Sequence, residues 1–88
     1  MTLADISPGD SATVQGISPR CDGPARLRLL DLGVVPGTVV QARLESAAGD
    51  PIAYDIRGAL VALRREQAAL IAVTSAGARG EPVGADWR

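Results

Sequence analysis

Ten residues, Leu29 to Thr38, constrain this chain more than any others: Leu-Leu-Asp-Leu-Gly-Val-Val-Pro-Gly-Thr. They describe a helix that is made to stop. From Asp22 to Leu32, the apolar residues Ala25, Leu29 and Leu32 recur at spacings of four and three, one face of a short helix. Asp22 or Gly23 can cap its start, and Pro24 suits the first turn, where its missing N–H has no intrahelical partner to lose. Gly33 stands where a left-handed residue ends a helix, with Val34 able to fold back onto Leu29 and Pro36 blocking continuation. A helix of about three turns is unstable alone in water and has to dock on another element.

What it docks on reads as strands. Ser7-Pro8-Gly9-Asp10 and Val35-Pro36-Gly37-Thr38 share one turn grammar, Pro setting φ at the second position and Gly admitting positive φ at the third. After the first turn, Ala12, Val14 and then Gly16 or Ile17 alternate with polar neighbours. Following the second, Val40, Ala42 and Leu44 alternate against Val39, Gln41 and Arg43, and later Ile52, Tyr54 and Ile56 against Ala53, Asp55 and Arg57. The intervening 46–51 reads as a hairpin loop, so that pair is antiparallel. Gly58 marks a bend, 60–63 a short strand, 64–69 a single helical turn, and 70–74 a last strand. The expected fold is mostly β: a small closed or partly closed barrel of about five strands, with one short inserted helix and a helical turn. Closure would remove exposed strand edges. Residues 1–74 form the expected domain, and 75–88, rich in Ser, Ala, Gly, Arg, Glu and Pro, a flexible tail.

Composition narrows the function. Among 88 residues there is no His, the lone cysteine is Cys21, and the two aromatics are Tyr54 and Trp87. Without imidazole the commonest general base is missing, and a hydrolase triad with it. A formal charge of −1 disfavours a nucleic-acid binder, which normally carries a basic stripe. Cys21 and Asp22 fall short of the ligand count a zinc site needs. No phosphate-binding glycine motif occurs, and no Lys is present to reach a phosphate. No apolar run approaches the roughly 20 residues that span a bilayer, and the N-terminus does not resemble a signal peptide. The chain reads as cytoplasmic and free of direct membrane insertion.

Two clusters are candidate partner-binding surfaces. Leu27 and Leu30, beside Arg26 and Asp31, point away from the Ala25–Leu29–Leu32 face of the helix. They either meet a protein partner or fill a second internal contact, with the helix wedged between the barrel and the 64–69 turn. Arg64 and Arg65 either grip an anionic group on a partner or belong to an ordinary solvated turn, one stem lying along the barrel. Trp87 suits either an interface anchor or a plain tail.

Taken in order, these segments resemble the FeoA family. The resemblance rests on Leu29 to Thr38, with Leu32, Gly33, Pro36 and Gly37 as its signature. It continues through Gly49-Asp50-Pro51-Ile52, Arg57-Gly58, Leu63-Arg64-Arg65 and Leu70 to Val73, with Pro8-Gly9-Asp10 ahead of the first strand. It implies an SH3-like β-barrel and a non-catalytic accessory protein of bacterial ferrous iron transport. That protein would dock on the FeoB transporter and modulate it, peripheral to the inner membrane through this partner, with no cofactor of its own. FeoA-like domains also form the C-terminal part of iron- and manganese-dependent repressors, where they contact other domains of the same protein. The starting Met and the lack of a helix-turn-helix make a free-standing protein the expectation. An RNA-binding SH3-like barrel would need clustered basic and aromatic residues, and polyproline reading needs an aromatic groove; neither is provided for. An oligomer through strand exchange or edge pairing is left open. The ligand count predicts that the isolated chain takes up no stoichiometric, submicromolar ferrous iron, which an anaerobic Fe(II) titration checks.

Overall fold

A computed structural model describes residues 1–45 and 49–75. The elements in chain order are a 3-10 turn at Leu3–Asp5, β1 (Ser11–Ile17), α1 (Gly23–Asp31), β2 (Val39–Glu45), β3 (Ile52–Ile56), β4 (Ala59–Leu63), α2 (Arg65–Ala68) and β5 (Ile71–Ser75). The five strands form one antiparallel sheet in the order β4-β3-β2-β1-β5. Ser75 is the last residue of β5, one position beyond the expected end of the domain. The remaining tail, with Trp87, and the 46–48 part of the predicted hairpin loop lie outside the described residues.

Both Pro-Gly turns form as their sequences require. Asp10 N–H donates to the Ser7 carbonyl at 2.9 Å and Thr38 N–H to that of Val35 at 3.1 Å, with Gly9 and Gly37 at φ of 94° and 95°. Each turn then clasps the strand opposite. Gly9 N–H donates to the Ala42 carbonyl at 2.7 Å, and Gly37 N–H donates to the Val14 carbonyl at 2.8 Å. The β1–β2 pair, registered Ser11 to Gln41 and Thr13 to Val39, is therefore held at both ends by the same device.

Strand alternation delivers the core. Ile52, Tyr54 and Ile56 are buried, as are Val40, Ala42, Val61, Leu63, Ile71 and Val73. Two bulges shift this pattern where regular alternation predicts otherwise. In β2 the register slips between Ala42 and Leu44, so Leu44 pairs with the outward Ala53 and is 65% exposed rather than internal. One extra residue inverts the facing of the residues beyond it. In β1 the register slips between Val14 and Gly16, so that Ile17 pairs with Ile71 and packs against the core.

The N-terminal residues ahead of the first Pro-Gly turn help to close the structure. Thr2 N–H donates to Asp5 Oδ2 at 2.8 Å, a capping arrangement that folds the 3-10 turn and buries Leu3 completely. The Tyr54 hydroxyl donates to the Leu3 carbonyl at 3.3 Å, tying this turn to β3 from inside the core. Burial pushes the Tyr54 phenol above its usual pKa, with Arg65 pulling it back and Asp50 adding to the rise. Val73 N–H donates to the Met1 carbonyl at 3.0 Å, and Thr2 bridges to Ala72, so the chain start covers the outer side of β5. Strand pairing does not close the sheet on itself: β4 and β5 are its two ends. Among the described residues, the expected removal of edges therefore holds for β5 but not for β4.

Gly33 joins the helix to this frame. Its φ is 99°, and it ends α1 with paired bonds, Gly33 N–H to the Leu30 carbonyl and Val34 N–H to the Leu29 carbonyl, both at 3.0 Å. Leu29 and Val34 are both buried, the apolar contact that accompanies this kind of stop. A Cβ on Gly33 would collide with the Arg57 stem, lying 3.1 Å from Cγ and closer still to Cδ, whereas one on Gly37 would meet nothing within 4 Å. The two glycines thus share a left-handed backbone but not the crowding. Gly37→Ala is expected to cost about 1–2 kcal/mol for backbone strain alone, and Gly33→Ala roughly twice that. Arg57→Ala should recover part of the second loss, all three effects being read from chemical denaturation.

Candidate partner-docking surface

Helix α1 projects from the sheet, anchored at both ends, and this decides which side chains can face a partner. Its C-terminal end is held by the Gly33 stop and by Leu29. At the N-terminal end Asp22 is the extended N-cap, but its side chain makes no cap bond, and Pro24 occupies the first turn. The fastening there comes from Arg26. Its Nη1 donates to the carbonyls of Cys21 at 3.1 Å, Ser18 at 3.2 Å and Ile17 at 3.4 Å. One guanidinium nitrogen, its two N–H bonds shared among three acceptors, thereby bridges the carbonyls of the β1–α1 link, where Cys21 is itself buried. Arg26, grouped by sequence with the outward leucines, therefore spends this group inside the chain.

Leu27 and Leu30 lie on the free side, 62% and 38% exposed. The helix is not wedged: α2 packs instead against the 3-10 turn at Leu3–Asp5. Ala25, expected on the packing face with Leu29 and Leu32, is exposed, while Leu32 is half-buried against the core. The helix meets the barrel through its last turn, and Ala25 sits in its first turn, where the Arg26 side chain makes the attachment. Leu30 and Leu32 border a shallow groove completed by Val35, Ile56, Arg57 and Ala59. Arg57 reaches this position from a two-residue turn in which it and Gly58 take φ of 53° and 88°, with Gly58 N–H donating to Asp55 Oδ1 at 3.1 Å. Its charge stands beside the negative end of the helix.

The two arginines of the other candidate cluster divide in the same way. Arg64 is exposed, and its N–H donates to Gln67 Oε1 at 2.9 Å, starting α2. Arg65 fastens three segments: Nη1 to the Ala4 carbonyl at 3.3 Å, Nη2 to the Gly49 carbonyl at 3.1 Å, and its backbone N–H to Asp50 Oδ1 at 2.8 Å. Only Arg64 of this pair presents its side chain freely.

A second exposed apolar area lies on the outer face of the sheet, where Leu44 and Leu60 are 65% and 63% exposed and flank a shallow depression with Gln41, Arg43 and Asp55. Sequence reading missed it, because only the β2 bulge turns Leu44 outward. The residues weighed for a metal site gather no ligand set among those described. Cys21 is buried and Asp22 exposed, and among the described residues no three His, Cys, Asp or Glu side chains gather into a possible ligand group. Among those residues, too, no helix is long and apolar enough to cross a membrane.

The Arg26 clasp generates a direct expectation. Replacing Arg26 by Lys keeps the charge but loses the planar fork, and should cost about 1–3 kcal/mol with faster amide exchange across α1. Hydrogen exchange measured by NMR checks it, with the strand amides as internal control.

Comparison with known proteins places this geometry. The solution structure of iron(II) transport protein A from Clostridium thermocellum superimposes with a TM-score of 0.80 at 30% identity, over 88% of this chain and 46% of that one. The present chain thus spans about half the length of that relative. FeoA of Stenotrophomonas maltophilia, complexed with zinc and described as a procaryotic SH3 domain protein, gives 0.72 at 26% identity over 83% and 88%. A manganese-dependent transcriptional repressor gives 0.67 at 25% identity, over 85% of this chain and 41% of that one. No curated protein gives a match. The FeoA domain family matches residues 1–75, the whole of the barrel, and the SH3-like fold expected from the sequence is the one observed. With the Gly33 stop, the two Pro-Gly clasps and the five-stranded sheet in place, the chain belongs to the FeoA domain family, whose members are linked to ferrous iron transport.

Proposed function

We propose that this chain is a non-catalytic, cytoplasmic accessory protein of ferrous iron transport that docks on a FeoB-type transporter and modulates it. It would sit at the inner membrane only through that partner. The observation that carries the reading is the projecting helix. Leu27 and Leu30 are exposed on an element fixed at one end by Arg26 and at the other by Gly33. Exposed leucines on a pre-ordered helix offer apolar contact with little further loss of chain entropy on binding. Family membership supplies the transport connection. Within the candidate set, Leu27 and Leu30 form the centre of the docking surface. Arg64 stands as a peripheral charge, while Arg26 and Arg65 hold the scaffold.

The likeness to the manganese-dependent repressor supports a second reading, in which the same barrel is a general interaction module whose partner is another protein domain. Neither reading needs chemistry in the barrel. A histidine-free chain whose arginines brace its own carbonyls suits an adaptor, with any catalysis on the partner's side.

Titration against full-length FeoB and against its soluble GTP-binding domain separates the readings. Binding to either supports docking on the transporter, whereas no signal at concentrations on the order of 100 µM favours the general module. The double variant Leu27→Ser, Leu30→Ser is expected to weaken that binding by about tenfold or more while leaving the circular dichroism spectrum unchanged. Undiminished affinity in a folded double variant would remove α1 from the docking surface.

A further inference from the structure

We propose that β4 is a self-pairing edge, through which two copies of this chain join their sheets in antiparallel register about Val61. The strand ends the sheet, and among the described residues no backbone hydrogen bond reaches its outer side. Its sequence, Ala59-Leu60-Val61-Ala62-Leu63, holds no charged residue, no Pro and no bulge, the devices that usually blunt such an edge. The opposite end of the sheet is treated differently, since Met1 and Thr2 cover β5.

The register argues for a second copy as the occupant. A two-residue turn makes Ile56 and Ala59 the hydrogen-bonded pair that closes the hairpin, followed by Tyr54 with Val61 and Ile52 with Leu63. Leu60 and Ala62 therefore direct their N–H and C=O groups away from β3, toward the open edge. These two residues are symmetric about Val61. An antiparallel second copy puts Leu60 opposite Ala62 of that copy, and Ala62 opposite its Leu60, satisfying both residues' outward groups with four hydrogen bonds. The two Val61 residues face each other across the axis.

Side chains agree with this register. Leu60, 63% exposed, falls beside Ala62 of the second copy and diagonally across from its Leu60, within reach for long apolar side chains. Arg64 falls opposite Gly58 of the second copy, where even a Cβ would meet nothing within 4 Å. No like charges oppose each other within the strand. A contact of five residues a side stays below the roughly 1,200 Å² of a standard stable interface, so the pairing is weak and reversible.

Sedimentation equilibrium over rising concentration tests this. The parent chain is expected to pass from one-copy toward two-copy mass between about 0.1 and 1 mM. Over the same range, amide exchange should slow at Leu60 and Ala62, the outward donors, while Val61 N–H, already bonded to Tyr54, stays protected throughout. Ala62→Pro removes an outward donor that the hairpin does not use, and Pro is tolerated at such a position. It should weaken association by about tenfold or more with the circular dichroism spectrum retained. Leu60→Lys, at an exposed site, should do the same by placing like charges diagonally across the axis, and serves should the Pro variant unfold. A parent chain that stays a single copy at about 1 mM overturns the proposal. So does association that leaves the Leu60 and Ala62 amides exchanging unchanged, or that persists undiminished in a folded variant.

Discussion

The left-handed backbone at Gly33 is the constraint on which the rest of the structure leans. It stops α1 after Asp31 and lets Val34 turn back onto Leu29, so that one end of the helix becomes part of the core. The same glycine makes room for the Arg57 stem, which carries the β3–β4 turn up against the helix end. A single missing Cβ thus serves two segments that are far apart in sequence. Any other residue would face both a backbone penalty and a collision.

Around that point the barrel is braced by polar groups reaching out of one segment to catch another. The glycines of the two Pro-Gly turns donate across the β1–β2 pair in opposite directions, fixing its register from both ends. Arg65 gathers the Ala4 and Gly49 carbonyls, and Tyr54 holds that of Leu3 from within the core. Such cross-links matter in a domain this small, because it buries only a modest share of its unfolded surface. They also explain how a protein nearly free of aromatics stays ordered: aliphatic packing fills the interior, and charged and phenolic groups close the gaps.

The proposed docking would rest on the groups that this bracing leaves over. Arg26 and Arg65 are occupied, whereas Leu27, Leu30, Leu44 and Leu60 remain in solvent. The helix leucines and the β4 edge are separate surfaces of different kinds, one a side-chain contact and the other a backbone template. If both proposals hold, neither contact would occupy the other's atoms.

Local chemistry was legible in the sequence by itself. Positive φ at Gly9, Gly33 and Gly37, the end of α1 and the burial of alternate residues in β3 all derive from residue type and short spacing. The Thr2–Asp5 cap carries the three-residue spacing of a helix start, a signal that sequence reading passed over, and it starts only a single 3-10 turn. Tertiary structure alone decided the bulges beside Gln15 and Arg43, because regular alternation does not reveal where one strand takes an extra residue against its neighbour. It also decided that Arg26 faces inward while Leu27 faces out, and that, among the described residues, β5 is covered while β4 is bare. Those outcomes depend on carbonyls, partner strands and a chain terminus brought together only by the fold, and a pattern read along the chain has no access to them.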